Sequence, residues 1–194
     1  MIEVNGLKSR RRILSGSAAA LSTTGILALL DTSARAAGAP ANVGNAAQDA
    51  QLLNAALSLE YEGIAAYQIG AESKLLTPNV LKAAITFQSH HKQHRDDLIA
   101  AIKRLGGAPA AKKSEPAYAK ELDTASLKDQ AGVLRLALKL ERGATNAYLG
   151  LIPSLNQSDL YVLAARTAAD ESFHAAILGH LLGEAIPQKA PMFG

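Results

Sequence analysis

Three of the chain's five histidines lie in one short segment, FQSHHKQHRDDL (residues 87–98), as His90, His91 and His94. Residues three or four positions apart share one face of a helix, so His91 and His94 would project to the same side. Imidazole is a frequent metal ligand in proteins. The segment is therefore either a solvated helix face or part of a metal site, and ligands elsewhere in the sequence distinguish the two.

Two further segments resemble each other closely. LSLEYEGIAAY (residues 57–67) and LKLERGATNAY (residues 138–148) align without gaps, and the alignment pairs Glu60 with Glu141. Glu60 precedes His91 by 31 residues, and Glu141 precedes the Glu171 of DESFH by 30. These matched spacings predict a helical hairpin that occurs twice.

Apolar residues at helical spacing predict four long helices, and the chain is rich in Ala and Leu, which favour helix over sheet. The predicted ranges are about 46–76, 78–105, 126–152 and 158–182. Thr77 and Ser158 are the expected N-caps of the second and fourth helices. Residues 107–125 are expected to be irregular. Fully extended, that segment could span about 60 Å, enough to run the length of a bundle of helices about 40 Å long.

Six polar residues fall on the apolar faces of these helices. An ionised carboxylate among apolar neighbours is costly unless it is paired or bound to metal, and no basic residue lies on the same faces. Pairing with a buried Lys or Arg is the alternative. The predicted metal ligands, expected to converge at one level of the bundle, are Glu60, His91, His94, Glu141, Glu171 and His174.

Some assignments stay open at this point. A small rotation of the second helix would replace His91 by His90, and His90 with His94 could also chelate on the flank. Tyr67 and Tyr148 lie seven residues beyond the two single glutamates, where they could donate to the carboxylates, act as redox-active phenols or pack in the core. The other polar candidates are expected at the surface or facing away: His180, Gln88, Gln93 and Glu62.

This pattern resembles the ferritin-like di-metal carboxylate family over residues 46–183. That family uses one Glu from each of two helices and Glu-x-x-His from each of the other two. The resemblance implies an all-α, ferritin-like four-helix bundle, with two antiparallel helical hairpins joined by a long crossover. It also implies two divalent metal ions, iron first, with manganese or zinc as alternatives.

His91 departs from the family pattern, because the family has a glutamate there that typically bridges the two metals. The site would keep three carboxylates and gain a third imidazole. An imidazole normally binds one metal, so a bridging ligand is lost. Mixed nitrogen and oxygen ligation suits iron, manganese and zinc, and copper would accept the extra imidazole.

The first 36 residues resemble a twin-arginine signal peptide. SRRRIL contains the arginine pair Arg10 and Arg11, an apolar run too short for a convincing membrane span follows, and ARA (residues 34–36) fits a cleavage site. The resemblance implies export by the twin-arginine machinery, to the periplasm or elsewhere outside the cytoplasm. A disordered basic tail or a retained anchor is the alternative. Residues 37–45 are then a linker and residues 184–194 a C-terminal tail.

Without that segment the chain carries 15 basic and 15 acidic side chains. The basic charge belongs to the predicted signal, so composition gives no support to nucleic-acid binding. The absence of cysteine excludes thiolate ligands and disulfides.

The sequence leaves three functions open. The first is an exported oxidoreductase whose two metals act on O₂, peroxide or a similar small oxidant. The second is a non-catalytic metal-binding or stress-protection bundle in the periplasm. The third is a bundle with a vestigial polar core whose surface binds a partner. A homo-oligomer is compatible with each, but nothing in the sequence supports a closed iron-storage cage.

Overall fold

The computed structural model describes residues 45–193, so the predicted signal peptide and nearly all of the linker lie outside the described part. Five α-helices follow one another: α1 (Ala46–Glu72), α2 (Pro78–Arg104), α3 (Glu115–Glu121), α4 (Gln130–Leu151) and α5 (Ser158–Leu181). Single 3₁₀ turns precede and follow α4. Residues 45–193 contain no β-strand, which confirms the predicted all-α class.

The four long helices form two antiparallel hairpins, α1 with α2 and α4 with α5, and the hairpins pack together through α1 and α4. The crossover between them is more ordered than expected. It contains α3, which packs on α1 with Tyr118 buried, and the 3₁₀ turn Thr124–Ser126. The predicted pair of hairpins and long crossover is confirmed, whereas the prediction that the crossover is irregular throughout is wrong.

The helix starts differ in detail from the predicted caps. α4 begins after Asp129, whose carboxylate accepts a hydrogen bond from the Gly132 N–H at 2.7 Å. Thr77 occupies the N-cap position of α2 as predicted, but its side chain makes no capping hydrogen bond, and its N–H donates to the Gln130 side chain at 2.8 Å. Ser158 is the first residue of α5 rather than its cap.

The start of α5 is capped by another helix. The carboxylate of Asp49 in α1 is fully buried and accepts hydrogen bonds from the N–H groups of Asn156 and Gln157, at 2.8 and 3.1 Å. A carboxylate near a helix N-terminus satisfies N–H groups that have no partner inside the helix. Asp49 thus fixes the start of the last helix against the first.

Two apolar clusters fill the bundle, one on each side of a polar layer. Leu57, Leu98 and Tyr148 belong to the first cluster, and Phe87 and Leu138 to the second. Along each long helix the polar residues lie between members of the two clusters, so apolar packing encloses the layer above and below. No helix in the described part is long and apolar enough to cross a membrane.

Candidate metal centre

The polar layer consists of the six residues that the sequence predicted to converge. Each long helix contributes: Glu60 from α1, His91 and His94 from α2, Glu141 from α4, and Glu171 and His174 from α5. None of the six is more than 7% exposed. The structure therefore brings all six together, and their role as metal ligands remains a prediction.

One half of the layer joins Glu60, His91, His94 and Glu171. Nδ1 of His91 lies 2.8 Å from Oε2 of Glu60 and 3.4 Å from Oε1 of Glu171. Nδ1 of His94 lies 3.1 Å from the same Glu171 oxygen and 3.7 Å from the Glu60 oxygen. Ligands bound tetrahedrally at 2.0–2.1 Å are about 3.3 Å apart, so these four atoms are spaced as ligands of one ion would be.

The other half joins His91, Glu141, Glu171 and His174. Nε2 of His91 lies 3.2 Å from Oε1 of Glu141. Nδ1 of His174 lies 3.4 Å from Oε2 of Glu141 and 3.1 Å from Oε2 of Glu171. In each half, one ligand atom from every residue lies within 4.8 Å of the others. The two halves share His91 and Glu171, and each half uses a different atom of both residues.

Two buried tyrosines orient the single glutamates, and they do so across the hairpins. Tyr67 of α1 donates a hydrogen bond to Glu141 of α4, and Tyr148 of α4 donates to Glu60 of α1. Hydrogen bonds to ligating carboxylates fix their orientation and tune the metal. The predicted position of both tyrosines beside the carboxylates agrees with the structure, and each phenol ring also packs in an apolar cluster.

The outer ring nitrogens of two histidines also have partners. Nε2 of His174 lies 2.9 Å from Nδ1 of His90, and Nε2 of His94 lies 3.1 Å from Oδ2 of Asp170. His90 therefore does not replace His91 in the layer. Asp170 was not predicted from the sequence, although a carboxylate on the outer nitrogen of a ligating histidine is common, and Asp170 lies four residues before His174.

Among the residues expected outside the layer, His180 and Gln93 are exposed and Glu62 is half-buried outside both ligand groups. The surface prediction for Gln88 is wrong. Its side chain is buried and donates to the backbone oxygen of Ile64 and to the Gln68 side chain, at 3.0 and 2.9 Å. These two acceptors on α1 take the place of water as hydrogen-bond partners of the Gln88 side-chain amide.

Gly63 makes room for the unusual histidine. A Cβ atom at this position would lie 3.1 Å from both Cε1 and Nδ1 of His91, tighter than ordinary packing contacts. Glycine inside a helix costs stability, and here the close approach of an imidazole ring supplies the reason. The sequence shows the glycine but not the ring that it faces.

Burial and mutual contacts shift the acid–base properties of the layer. Burial raises the pKa of Glu60, yet hydrogen bonds and charge from His91 and His94 outweigh it and bring the pKa to about 2. Burial and a hydrogen bond to Glu141 raise the pKa of Glu171 to about 7. Burial alone would lower the pKa of His94, but Glu171 and Glu60 raise it to about 10. Without metal, protonated imidazoles thus neutralise the carboxylates.

The metal-free protein is expected to lose stability as pH rises from about 5 to 10. The pKa of His94 is about 10 in the folded chain against 6.5 in the unfolded chain, so its contribution is complete below pH 6.5 and is lost on the way to pH 10. The raised pKa of Glu171 acts in the same direction between pH 4.5 and about 7. Urea unfolding in the presence of a chelator, repeated across this pH range, measures the free energy of unfolding at each pH. His94→Gln should reduce the decline above pH 6.5, and an unchanged profile would contradict the assignment.

A solvent-facing cleft of about 470 Å³ opens beside the layer, between α2 and α5. The residues that line it include His94, Asp170, Gln93, Arg166 and Thr167. His94 thus has one nitrogen in the polar layer and the other at the cleft. A small molecule in the cleft would approach the layer from this side.

A model of the ferritin-like domain family matches residues 48–184, which includes every residue of the layer. The chain belongs to this family. Among solved structures, a conserved hypothetical protein from Mycobacterium tuberculosis is similar to this ferritin-like domain. The two are 24% identical with a TM-score of 0.59, over 75% of this chain and 97% of the other. That likeness supports the fold alone, and a comparison with curated proteins finds no match.

The ferritin-like domain also clarifies the departure seen in the sequence. His91 is not displaced to the flank but lies in the layer, with a carboxylate at each ring nitrogen. The buried His and Glu side chains of the domain are compatible with metal binding, and His91 belongs to both groups of possible ligands.

Proposed function

We propose that this protein is an exported ferritin-like oxidoreductase that binds two divalent ions, iron or manganese, and acts on O₂, peroxide or a similar small oxidant. The observation that carries the proposal is the pair of four-residue ligand groups, which share His91 and Glu171 within one buried layer. When bound, two such ions would supply Lewis acidity and electrons to a small oxidant.

The surrounding residues have separate tasks in this proposal. Tyr67 and Tyr148 hold the single glutamates in place. The apolar clusters keep water from the layer, which strengthens electrostatic interactions inside it. The cleft beside His94 and Asp170 is the route for a small oxidant, and Asp170 holds the outer nitrogen of His94.

A non-catalytic metal-binding bundle is the second candidate, and the enclosure of the layer favours it. Structural metal sites are closed, whereas catalytic sites keep a position open to substrate. All six layer residues are buried, including His94 at the cleft. In this case the ions, zinc among them, would mainly hold the two hairpins together.

Elemental analysis of the mature protein, purified from its exported form without chelators, tests the proposal. We expect close to two iron or manganese atoms per chain, and consumption of O₂ or peroxide that stops on chelation. If the protein binds two ions but shows no turnover, and chelation lowers its melting temperature, the structural role is favoured. No metal, even after anaerobic loading, would contradict both.

Export is a separate part of the proposal, supported by the SRRRIL and ARA segments. Replacing Arg10 and Arg11 by lysine is expected to leave the protein in the cytoplasm as an uncut precursor. N-terminal sequencing of the exported wild-type protein should begin after Ala36. Processing and export of the twin-lysine variant at the wild-type level would contradict this route.

A further inference from the structure

We propose that His91 is a bridging ligand, an imidazolate that binds one metal ion through Nδ1 and the second through Nε2. The inference rests on the proposed metal site and goes beyond it, because it assigns the replacement for the bridging glutamate that this chain lacks. It also favours ions that accept several nitrogen ligands, namely zinc and copper alongside iron.

The position of the His91 ring is the first argument. Nδ1 lies 2.8 Å from the Glu60 oxygen of one ligand group, and Nε2 lies 3.2 Å from the Glu141 oxygen of the other. The ring therefore stands between the two groups with one nitrogen in each. A histidine that served a single ion would leave its second nitrogen to an outer partner, as His94 leaves its Nε2 to Asp170.

Charge balance is the second argument. A buried site is stable only if its charges are nearly compensated. The two ligand groups contain three carboxylates, from Glu60, Glu141 and Glu171, against the four positive charges of two divalent ions. An imidazolate adds the fourth negative charge. Neutral His91 would leave one positive charge uncompensated inside the apolar enclosure.

The formation of the bridge involves only protons. The first ion binds one nitrogen and displaces to solvent any proton held there, while the other nitrogen still carries hydrogen. The second ion replaces that hydrogen, and the proton passes to solvent with no electron transferred. Ligands must lose their protons when metals bind, and here one extra proton is released with the second ion.

The space around His91 is the third argument. Because position 63 is glycine, the ring lies against the α1 backbone, where a Cβ atom would be 3.1 Å from Cε1 and Nδ1. Glu60, Glu141 and Glu171 surround the ring on the other sides, and all three are at most 1% exposed. The orientation that presents one nitrogen to each group is thus fixed by packing.

A crystal structure of the wild-type protein loaded with Zn²⁺ is the direct test. An imidazolate bridge places the ions roughly 6 Å apart, on opposite sides of the His91 ring, given bonds of 2.0–2.1 Å. Ions about 3.5–4 Å apart, with His91 on only one of them, would overturn the bridge but leave the metal site. A single ion would also overturn it, and no bound ion would overturn the proposed function as well.

Electron paramagnetic resonance of the Cu²⁺-loaded protein tests the bridge in solution. Two bridged Cu²⁺ ions pair their spins, so the integrated low-temperature signal of the wild type should fall well below two spins per chain. His91→Gln should either restore two full spins or bind one copper with one spin. Spin pairing that persists in this variant would assign the bridge to Glu171 and overturn the proposal.

A matched glycine pair tests the same point without changing a ligand. Gly63→Ala pushes a methyl group against the His91 ring, whereas in Gly70→Ala on the same helix the Cβ meets only a Val133 methyl at 3.0 Å. Both substitutions replace glycine by alanine inside a helix, so both raise the intrinsic helix propensity by the same amount. Gly63→Ala should weaken binding of the second Cu²⁺ at least tenfold and weaken spin pairing, and Gly70→Ala should change neither. Equal behaviour of the two variants would overturn the packing argument and with it the fixed bridge.

Discussion

Glu171→Gln is expected to abolish binding of both metal ions at concentrations that saturate the wild-type protein. Glu171 contributes Oε1 to the group with His94 and Oε2 to the group with His174. Glutamine is neutral and offers one oxygen, so both groups lose a charged ligand at once. Affinity should fall at least about hundredfold, which corresponds to about 2.8 kcal/mol.

The variant should still fold, because burial and the hydrogen bond to Glu141 raise the pKa of Glu171 to about 7. Its neutral form is therefore already present in the metal-free protein near neutral pH, and glutamine resembles that form. Competition with a chromophoric chelator gives the affinities, with Glu62→Gln as the matched control outside both groups. Two ions retained by Glu171→Gln would refute the central place of this carboxylate.

Among the substitutions in the polar layer, His91→Gln is expected to produce the largest loss of stability in the metal-free protein. His91 lies within 3.4 Å of oxygens from Glu60, Glu141 and Glu171. Burial alone would lower the pKa of His91, but the three carboxylates raise it well above its usual value, so the ring is their buried cation. Removing one partner of a buried charge pair costs about 3 kcal/mol, a fall of roughly 6–12 °C in melting temperature for a domain of this size.

Chemical and thermal unfolding in the presence of a chelator measures this effect. His180→Gln is the control, since His180 is exposed on α5 and outside both ligand groups. If His91→Gln unfolds like the control, the His91 imidazole is not one of the cations that balance the carboxylates.

Local spacing predicted much of the fold and the layer. Glutamates and histidines at matched distances along two hairpins must meet once the hairpins pair, and the helical period decides which side chains face inward. For Glu60 and Glu141, the apolar residues three or four positions away were enough to predict a place in the core. The sequence pattern therefore predicted that these residues converge without any knowledge of crossing angles, although it left the choice between His90 and His91 open.

The remaining features depend on contacts between distant segments. Asp49 caps a helix that begins more than 100 residues later, and Gln88 is buried because two acceptors on α1 happen to face it. Gly63 is informative only when the His91 ring opposite it is known. Such contacts are set by the packing of whole helices, and no periodicity within one helix encodes them.

The exchange of hydrogen bonds between Tyr67 and Glu141, and between Tyr148 and Glu60, also bears on assembly. Neither hairpin can orient its own glutamate, because the phenol that does so belongs to the other. A separate hairpin also holds three residues of one ligand group but only one of the other, so in the proposed site neither ion would have its full set of ligands until both hairpins have docked. If the proposed site binds its two ions, full metal occupancy would therefore report that the two hairpins have packed together.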